Sequence, residues 1–425
     1  MDKFVIRGGR QLFGTVEASG NKNAALPCIA AALLTEEPVI LRRVPEIADV
    51  SVMLELAVSL GCRVEHLDPG TYRITNQGVG SSIDKQYADA IRASILLVPP
   101  VLHHNRCVEL PPPGGDVIGH RRLDTHFLVF ESFGAESSIL DNGHIAIRAD
   151  QLNPADIFLD ETSVTATENA VMLAAVNEGT TVIRNAASEP HVQDLCGMLA
   201  AMGAQVTGIG SNLITITGRR RLKGCDVTIG SDYMEAGSYI GLAACTGGSI
   251  TIRKTDPEHL RVLRNAFVRL GIDWSLRGNN LKVSCSRQRS VSPGIAGYTP
   301  KIDDAPWPGF PTDLLSILTV AATQTKGTVL IHEKMFESRL FFIDTLIRMG
   351  ANIILCDPHR AVVTGPSRLH GQVMSSPDVR AGMALVIAAL SAHGVSEIQN
   401  AYQIDRGYEW LCEKLQQIGA DIQRG

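Results

Sequence analysis

The sequence predicts an α/β protein of two domains, each made of three similar units in which helices alternate with strands. A chain of 425 residues is too long for one ordinary core. A short phrase recurs six times at a period of roughly 70 residues. Between the copies, apolar helical patterns alternate with short runs of β-branched residues.

The phrase is a large apolar residue, Gly, and a small or apolar residue: Leu60-Gly61-Cys62, Phe133-Gly134-Ala135, Met202-Gly203-Ala204, Leu270-Gly271-Ile272, Met349-Gly350-Ala351 and Ile418-Gly419-Ala420. Each copy closes an amphipathic helix and opens an alternating strand, such as Arg63-Val64-Glu65 or Asn352-Ile353-Ile354. Its Gly therefore suits a helix C-cap with positive φ. Ala-rich helical stretches precede the copies at Asn23–Leu34, Ile91–Leu102, Glu168–Val176, Ala236–Cys245, Leu314–Ala322 and Ala381–Leu390. They are apolar nearly all round, which predicts burial inside a domain. Polar-Gly turns then lead into strands at Gly179–Ile183, Gly248–Ile252 and Gly327–Ile331. Six units divide into two domains of three, with a midpoint around Gly230-Ser231-Asp232 and a cleft between domains as the expected ligand site. Repetition of this kind specifies architecture and leaves the chemistry open.

Composition excludes several classes. The hydrophobic fraction is 45% and the charged fraction 20%, as in globular proteins, while aromatics are only 5%, so aliphatic side chains must fill the cores. A net charge of -5 argues against a nucleic-acid partner, which calls for clustered Lys and Arg. Nine scattered cysteines without CxxC or Cys/His spacing predict reduced, mostly buried thiols and no metal site. Met1-Asp2-Lys3-Phe4 is not a basic stretch followed by an apolar core, and no apolar run reaches the roughly 20 residues of a membrane helix. The expectation is a cytoplasmic chain with no membrane partner and an open oligomeric state.

Functional residues are sought where the repeat does not require them. In Ser19-Gly20-Asn21-Lys22-Asn23, Lys22 opens an otherwise apolar helix, where helix N–H groups favour an anion; a solvated cap is the other reading. The segment Pro111-Pro112-Pro113-Gly114-Gly115-Asp116, continuing to Arg121, Arg122, Leu123 and Asp124, is stiff at one end and hinged at the other. It carries an acid and two Arg, and it reads either as an active-site loop or as a charged surface loop. Asp313, before the helix at Leu314, is either an N-terminal cap or a base. Arg339, Arg380 and Arg406 each lie near an acid and are either paired surface charges or, if they converge, a site for carboxylate and phosphate.

Together these segments resemble the UDP-N-acetylglucosamine enolpyruvyl transferases, over essentially the whole chain from Met1-Asp2-Lys3-Phe4 to Asp405-Arg406-Gly407-Tyr408-Glu409. The resemblance implies two inside-out α/β domains with the active site in the cleft, one formed by 1–20 plus 232–425, the other by 21–231 and carrying the mobile loop 111–122. It implies phosphoenolpyruvate and UDP-N-acetylglucosamine as substrates, in peptidoglycan synthesis, with no cofactor and no metal. Lys22 matches the family's catalytic lysine and Asn23 its sugar-contacting neighbour. Arg92 and Arg121 match arginines tied to phosphoenolpyruvate and the loop, and Asp313 matches the acid near the sugar 3-hydroxyl. Arg339, Arg380 and Arg406 match the cluster around the enolpyruvate, with Arg406 also among the catalytic set. Arg122, Leu123, Asp124, Ser163 and Val164 fall in segments matching those that bind the nucleotide, and Asp232 and Glu235 lie in a further matching motif.

Departures from the family are equally specific. Asp116 stands where many members carry Cys; either side chain delivers a proton, but only the thiol is a good nucleophile. The resemblance therefore implies insensitivity to the family's alkylating epoxide antibiotic, fosfomycin. Arg122 replaces a Pro of the uracil pocket, Thr125 a Leu, and Thr165 a Gly whose missing Cβ lets backbone approach the diphosphate. A paralogue using another uridine nucleotide, and a non-catalytic nucleotide-sugar binder, are the alternatives these leave. The sister transfer to shikimate 3-phosphate is disfavoured, because that family has Ser-Lys-Ser where this chain has Asn21-Lys22-Asn23, and an RNA-processing role is disfavoured by the negative charge. Asp116→Ala is expected to abolish phosphate release in a coupled assay while circular dichroism reports a folded chain; near-normal turnover removes Asp116 from the mechanism.

Overall fold

The computed structural model describes residues 2–115, 119, 122–286 and 288–425. The chain forms two compact units, one built on residues 2–19 and 231–425, the other on 20–115 and 122–230. Each has its own hydrophobic core.

Each expected apolar stretch forms a helix. In the unit of residues 20–230 these are α1 (Lys22–Ala32), α2 (Val98–Asn105, entered through a 3₁₀ turn at Arg92–Leu97) and α3 (Val164–Val176). In the other unit they are α4 (Tyr233–Thr246), α5 (Leu315–Thr323, entered through a 3₁₀ turn at Thr312–Leu314) and α6 (Val379–Ser391). Every residue of α4 and α5 is buried. Helices with no polar face must be covered on all sides, and α4, α5 and α6 pack against one another inside three sheets. Each Leu, Ile or Val so buried contributes about 1.5–3 kcal/mol. Close packing needs bare backbone in places: a Cβ at Gly237 would stand 2.5 Å from Leu314, and one at Gly241 would stand 2.3 Å from Ile317.

Among the described residues, five of the six sheets repeat one plan, with a parallel pair at one edge followed by two antiparallel pairings. Phe13–Glu17 runs parallel to Ser249–Arg253, which pairs antiparallel with Asn280–Ser284 and through it with Trp274–Arg277. Lys301–Asp303, Gly327–His332, Arg360–Gly365 and Asn352–Asp357 follow the same order. The sixth sheet has three strands, and a single parallel bridge, Ser82 to Glu109, stands where its fourth would be. The six repeated glycines all have positive φ, from 67° at Gly271 to 111° at Gly203. All nine cysteines are free; four are buried, four half-buried, and Cys356 is exposed, so burial of the thiols is less general than the sequence suggests.

One core residue lacks any warning in the pattern. Arg289 is buried and donates through Nη1 to the Ala244 carbonyl at 2.6 Å, through Nη2 to the Ala321 carbonyl at 3.4 Å, and through Nε to Thr325 Oγ1 at 3.0 Å. These carbonyls belong to the last turns of α4 and α5, where intrahelical donors run out and a cation is favoured. Arg289→Ala is expected to lower unfolding free energy by about 2–4 kcal/mol in urea titration, because several charge-assisted bonds to buried carbonyls are lost together.

Candidate functional site

In the unit of residues 231–425 the starts of α4, α5 and α6 carry the polar groups. Asp232 caps α4, accepting from Met234 N at 2.8 Å and Glu235 N at 3.0 Å, and Asp378 caps α6, accepting from Arg380 N at 2.8 Å and Ala381 N at 3.0 Å. Asp313 is no cap, contrary to the commoner reading of an Asp at that position. It lies in the 3₁₀ turn, where Oδ1 accepts from Arg339 Nη2 at 2.7 Å and Oδ2 from Arg380 Nε at 3.0 Å. Arg339 Nη1 is also 3.6 Å from Asp378 Oδ1.

Surface pairing does not describe these arginines: Arg339 and Arg380 are 4% exposed and Arg406 8%. The Arg380 guanidinium lies over the Tyr408 ring at 5.3 Å, and Tyr408 Oη is 2.8 Å from Ser238 Oγ. Burial lowers the pKa of Arg380, but Tyr408, Asp313 and Asp232 outweigh it and raise it well above the ordinary value, so the charge is permanent. Arg339 Nε and Arg380 Nη1 are buried without a hydrogen-bond partner among the described residues. Buried donors left in this way point to an anionic ligand that is not part of the chain. Arg406, at the end of the short helix Tyr402–Asp405, donates through Nη1 to Gln403 Oε1 at 2.8 Å.

The unit of residues 20–230 carries the other expected residues, again at helix starts. Asn21 caps α1 by accepting from Asn23 N at 2.9 Å. Lys22 is not a solvated cap: its Nζ is 2.8 Å from Asp49 Oδ2, with both side chains largely buried. In the sequence Asp49 reads only as an acid opening the helix Ala48–Ser59, with nothing that ties it to Lys22. Arg92 begins the 3₁₀ turn before α2, and its Nη2 donates to the Arg122 carbonyl at 3.1 Å. Arg122 is exposed and pairs with Asp124 at 2.5 Å, a local surface pair next to half-buried Leu123. Ser163 caps α3 through Ala166 N at 3.4 Å, and Val164 is the first helical residue.

The two threonine departures are both engaged inside this unit. Thr125 Oγ1 donates to Asp160 Oδ1 at 2.8 Å. Thr165 Oγ1 is 3.1 Å from His126 Nε2, whose Nδ1 is 2.9 Å from Asn169 Nδ2. Asp116 and Arg121 lie outside the described residues. No helix among the described residues is long and apolar enough to cross a membrane.

Comparison with known proteins bears on the family and the fold. The family model described as EPSP synthase (3-phosphoshikimate 1-carboxyvinyltransferase) matches residues 6–415. A UDP-N-acetylglucosamine 1-carboxyvinyltransferase of Treponema denticola is 57% identical over 424 residues, covering 100% of this chain and 99% of that protein. A protein of the same name from Borreliella burgdorferi is 53% identical over 425 residues, covering 100% and 99%. Among solved structures, the enolpyruvyl transferase NikO from Streptomyces tendae matches with a TM-score of 0.88 at 24% identity over 100% of this chain and 98% of that one. EPSP synthase from Acinetobacter baumannii matches with a TM-score of 0.74 at 16% identity over 100% of both. At these identities the two structures speak to the fold alone. The full-length identity to the curated relatives goes further, and with six βα units in two inside-out α/β units it establishes that the chain belongs to the UDP-N-acetylglucosamine 1-carboxyvinyltransferase family of enolpyruvyl transferases.

Proposed function

We infer that this chain transfers the carboxyvinyl group of phosphoenolpyruvate to the 3-hydroxyl of UDP-N-acetylglucosamine with release of phosphate, a step of peptidoglycan synthesis. The observation that carries the reading is the carboxylate of Asp313 held by two buried arginines, Arg339 and Arg380, each with a donor left over. Full-length relatives named for this reaction support it, and the 57% identity together with Asn21-Lys22-Asn23 favours a nucleotide-sugar acceptor over shikimate 3-phosphate.

The reaction is addition followed by elimination. Asp116 protonates the methylene carbon of phosphoenolpyruvate while the sugar 3-oxygen bonds to the adjacent carbon and Asp313 takes the hydroxyl proton. The tetrahedral adduct keeps its phosphate. Asp116, ionised by the first step, then takes a proton back from the new methyl group as the C–O bond to phosphate breaks, which releases phosphate and restores the vinyl ether. Lys22, Arg92, Arg121, Arg339, Arg380 and Arg406 stabilise the carboxylate and phosphate charges throughout, an electrostatic role strengthened where water is excluded. Asn23, Arg122, Leu123, Asp124, Ser163 and Val164 hold the nucleotide sugar. Phosphoenolpyruvate is a cytoplasmic metabolite, so the same reading assigns the chain to the cytoplasm.

Two measurements test this. Pure protein incubated with phosphoenolpyruvate should release phosphate with UDP-N-acetylglucosamine and not with shikimate 3-phosphate; equal release with another uridine nucleotide sugar would move the assignment to a paralogous acceptor. Asp313→Asn should lower kcat by about 10²–10⁴-fold, the range for losing a positioned proton acceptor, and should also lower the melting temperature, because buried Arg339 and Arg380 lose their shared counter-charge, while circular dichroism still reports a folded chain. A variant retaining most of its kcat takes Asp313 out of the proton transfer.

A further inference from the structure

Beside Asp313 lies a second pair of acids that the mechanism above does not use. Asp304 and Glu333 are both fully buried. They follow the ends of parallel strands Lys301–Asp303 and Gly327–His332, in which Asp303 is in register with His332, so the two carboxyls leave adjacent strands at one level. Asp304 Oδ1 accepts from Lys334 N at 2.6 Å. Glu333 Oε1 accepts from Met335 N at 3.1 Å and Phe336 N at 3.0 Å, and Thr312 Oγ1 lies 3.0 Å from Oε1 and 2.8 Å from Oε2.

The remaining oxygen, Asp304 Oδ2, is buried with no donor among the described residues. The strand register sets the Asp304 carboxyl beside that of Glu333, and after burial Asp304 is the strongest influence raising the Glu333 pKa. Two carboxyls can bond each other only if one holds a proton, and two carboxylates cannot both be ionised cheaply in a dry site. Among the described residues no ammonium or guanidinium closes on the pair: Lys334 Nζ faces Asp303 at 2.5 Å, and Arg339 acts on Glu333 only through its field. His359 Nδ1 is 2.8 Å from the Glu333 carbonyl, not its carboxyl. Burial and then Asp304 push Glu333 up to about 8, while Thr312 and Arg339 act in the opposite direction.

The geometry ties this pair to the proposed base. Thr312 directly precedes Asp313. Phe336, whose N–H is held by Glu333, accepts Arg339 N at 3.4 Å through its carbonyl, and the Arg339 guanidinium lies over its ring at 5.7 Å. Arg339 in turn holds Asp313 Oδ1. We propose that Asp304 and Glu333 share one proton and act as a positioning pair, fixing the Thr312-Asp313 turn against the Met335–Arg339 segment so that Arg339 orients Asp313. The proposal rests on the proton-accepting role given to Asp313. Loss of the shared proton sets two buried carboxylates against each other and loosens both segments.

The sign follows from proton binding. With its pKa raised on folding, Glu333 binds more protons in the native than in the unfolded chain, so stability falls as pH rises from the ordinary carboxylate range to about 8 and is flat above that. Two variants remove the two-carboxylate state: in Glu333→Gln the amide N–H₂ replaces the protonated oxygen, and in Asp304→Asn an amide donates to an ionised Glu333. Wild-type kcat should fall about tenfold between pH 7 and pH 9, as expected for one essential proton with a pKa near 8. Both variants should keep pH 7 turnover within about threefold and lose most of the alkaline decline, and their melting temperatures should lose the wild-type slope between pH 6 and pH 8. An alkaline limb unchanged in both folded variants, or parallel melting profiles, overturns the proposal. The melting comparison needs no turnover, so an inactive wild-type protein would refute the proposed reaction while the shared proton is still decided.

Discussion

Six helices that are apolar and buried over most of their length impose the constraint from which the rest follows. A helix such as α5, buried at all nine positions, cannot face water anywhere along its length, so sheets must surround it and only its ends can meet polar groups. The starts are the chemically useful ends, because their N–H groups are unsatisfied and carry the positive end of the dipole. Lys22, Arg92 and Ser163 stand at three such starts or their lead-in turns; Asp232, Asp313 and Arg380 stand at the other three. The apolar interior thus determines where polar chemistry is possible before any particular residue is considered.

Charge placed at those starts has to be balanced locally. Burying a guanidinium is costly unless it is paired, and Arg339 and Arg380 each take one oxygen of Asp313 while Arg339 also lies near Asp378. Lys22 and Asp49 solve the same problem in the other unit with one pair. Among the described residues the pairing satisfies Arg380 Nε and Arg339 Nη2 and leaves Arg380 Nη1 and Arg339 Nε without a partner. Buried donors of this kind are what a charge-assisted bond to an anion would satisfy.

Not every polar commitment in the interior concerns ligand. Arg289 closes the opposite ends of α4 and α5, where carbonyls and not N–H groups are left over. Thr125 and Thr165, which differ from the family pattern, are taken up by Asp160 and His126 inside their own unit. The hydroxyls therefore have local structural employment.

The architecture was readable from the chain because it rests on periodic signals. The six Gly phrases, the Ala-rich helices and the β-branched strands are local patterns, and local patterns carry their own geometry: positive φ at a C-cap, an apolar surface all round a helix, alternation along a strand. Several site residues were also legible one at a time, as charges interrupting those patterns. What the linear sequence could not supply was partnership. Nothing near Lys22 names Asp49, nothing at Asp313 distinguishes a cap from an acceptor for Arg339 and Arg380, and Asp304 and Glu333 look like ordinary acids beside Asp303 and Lys334. Those assignments depend on burial and on distances between segments 26 to 67 positions apart, which exist only once the sheets have closed around the helices. Sequence alone determined the repeated units and the polar positions within them; tertiary structure decided which charges meet, because only folding removes the water that would otherwise have screened them.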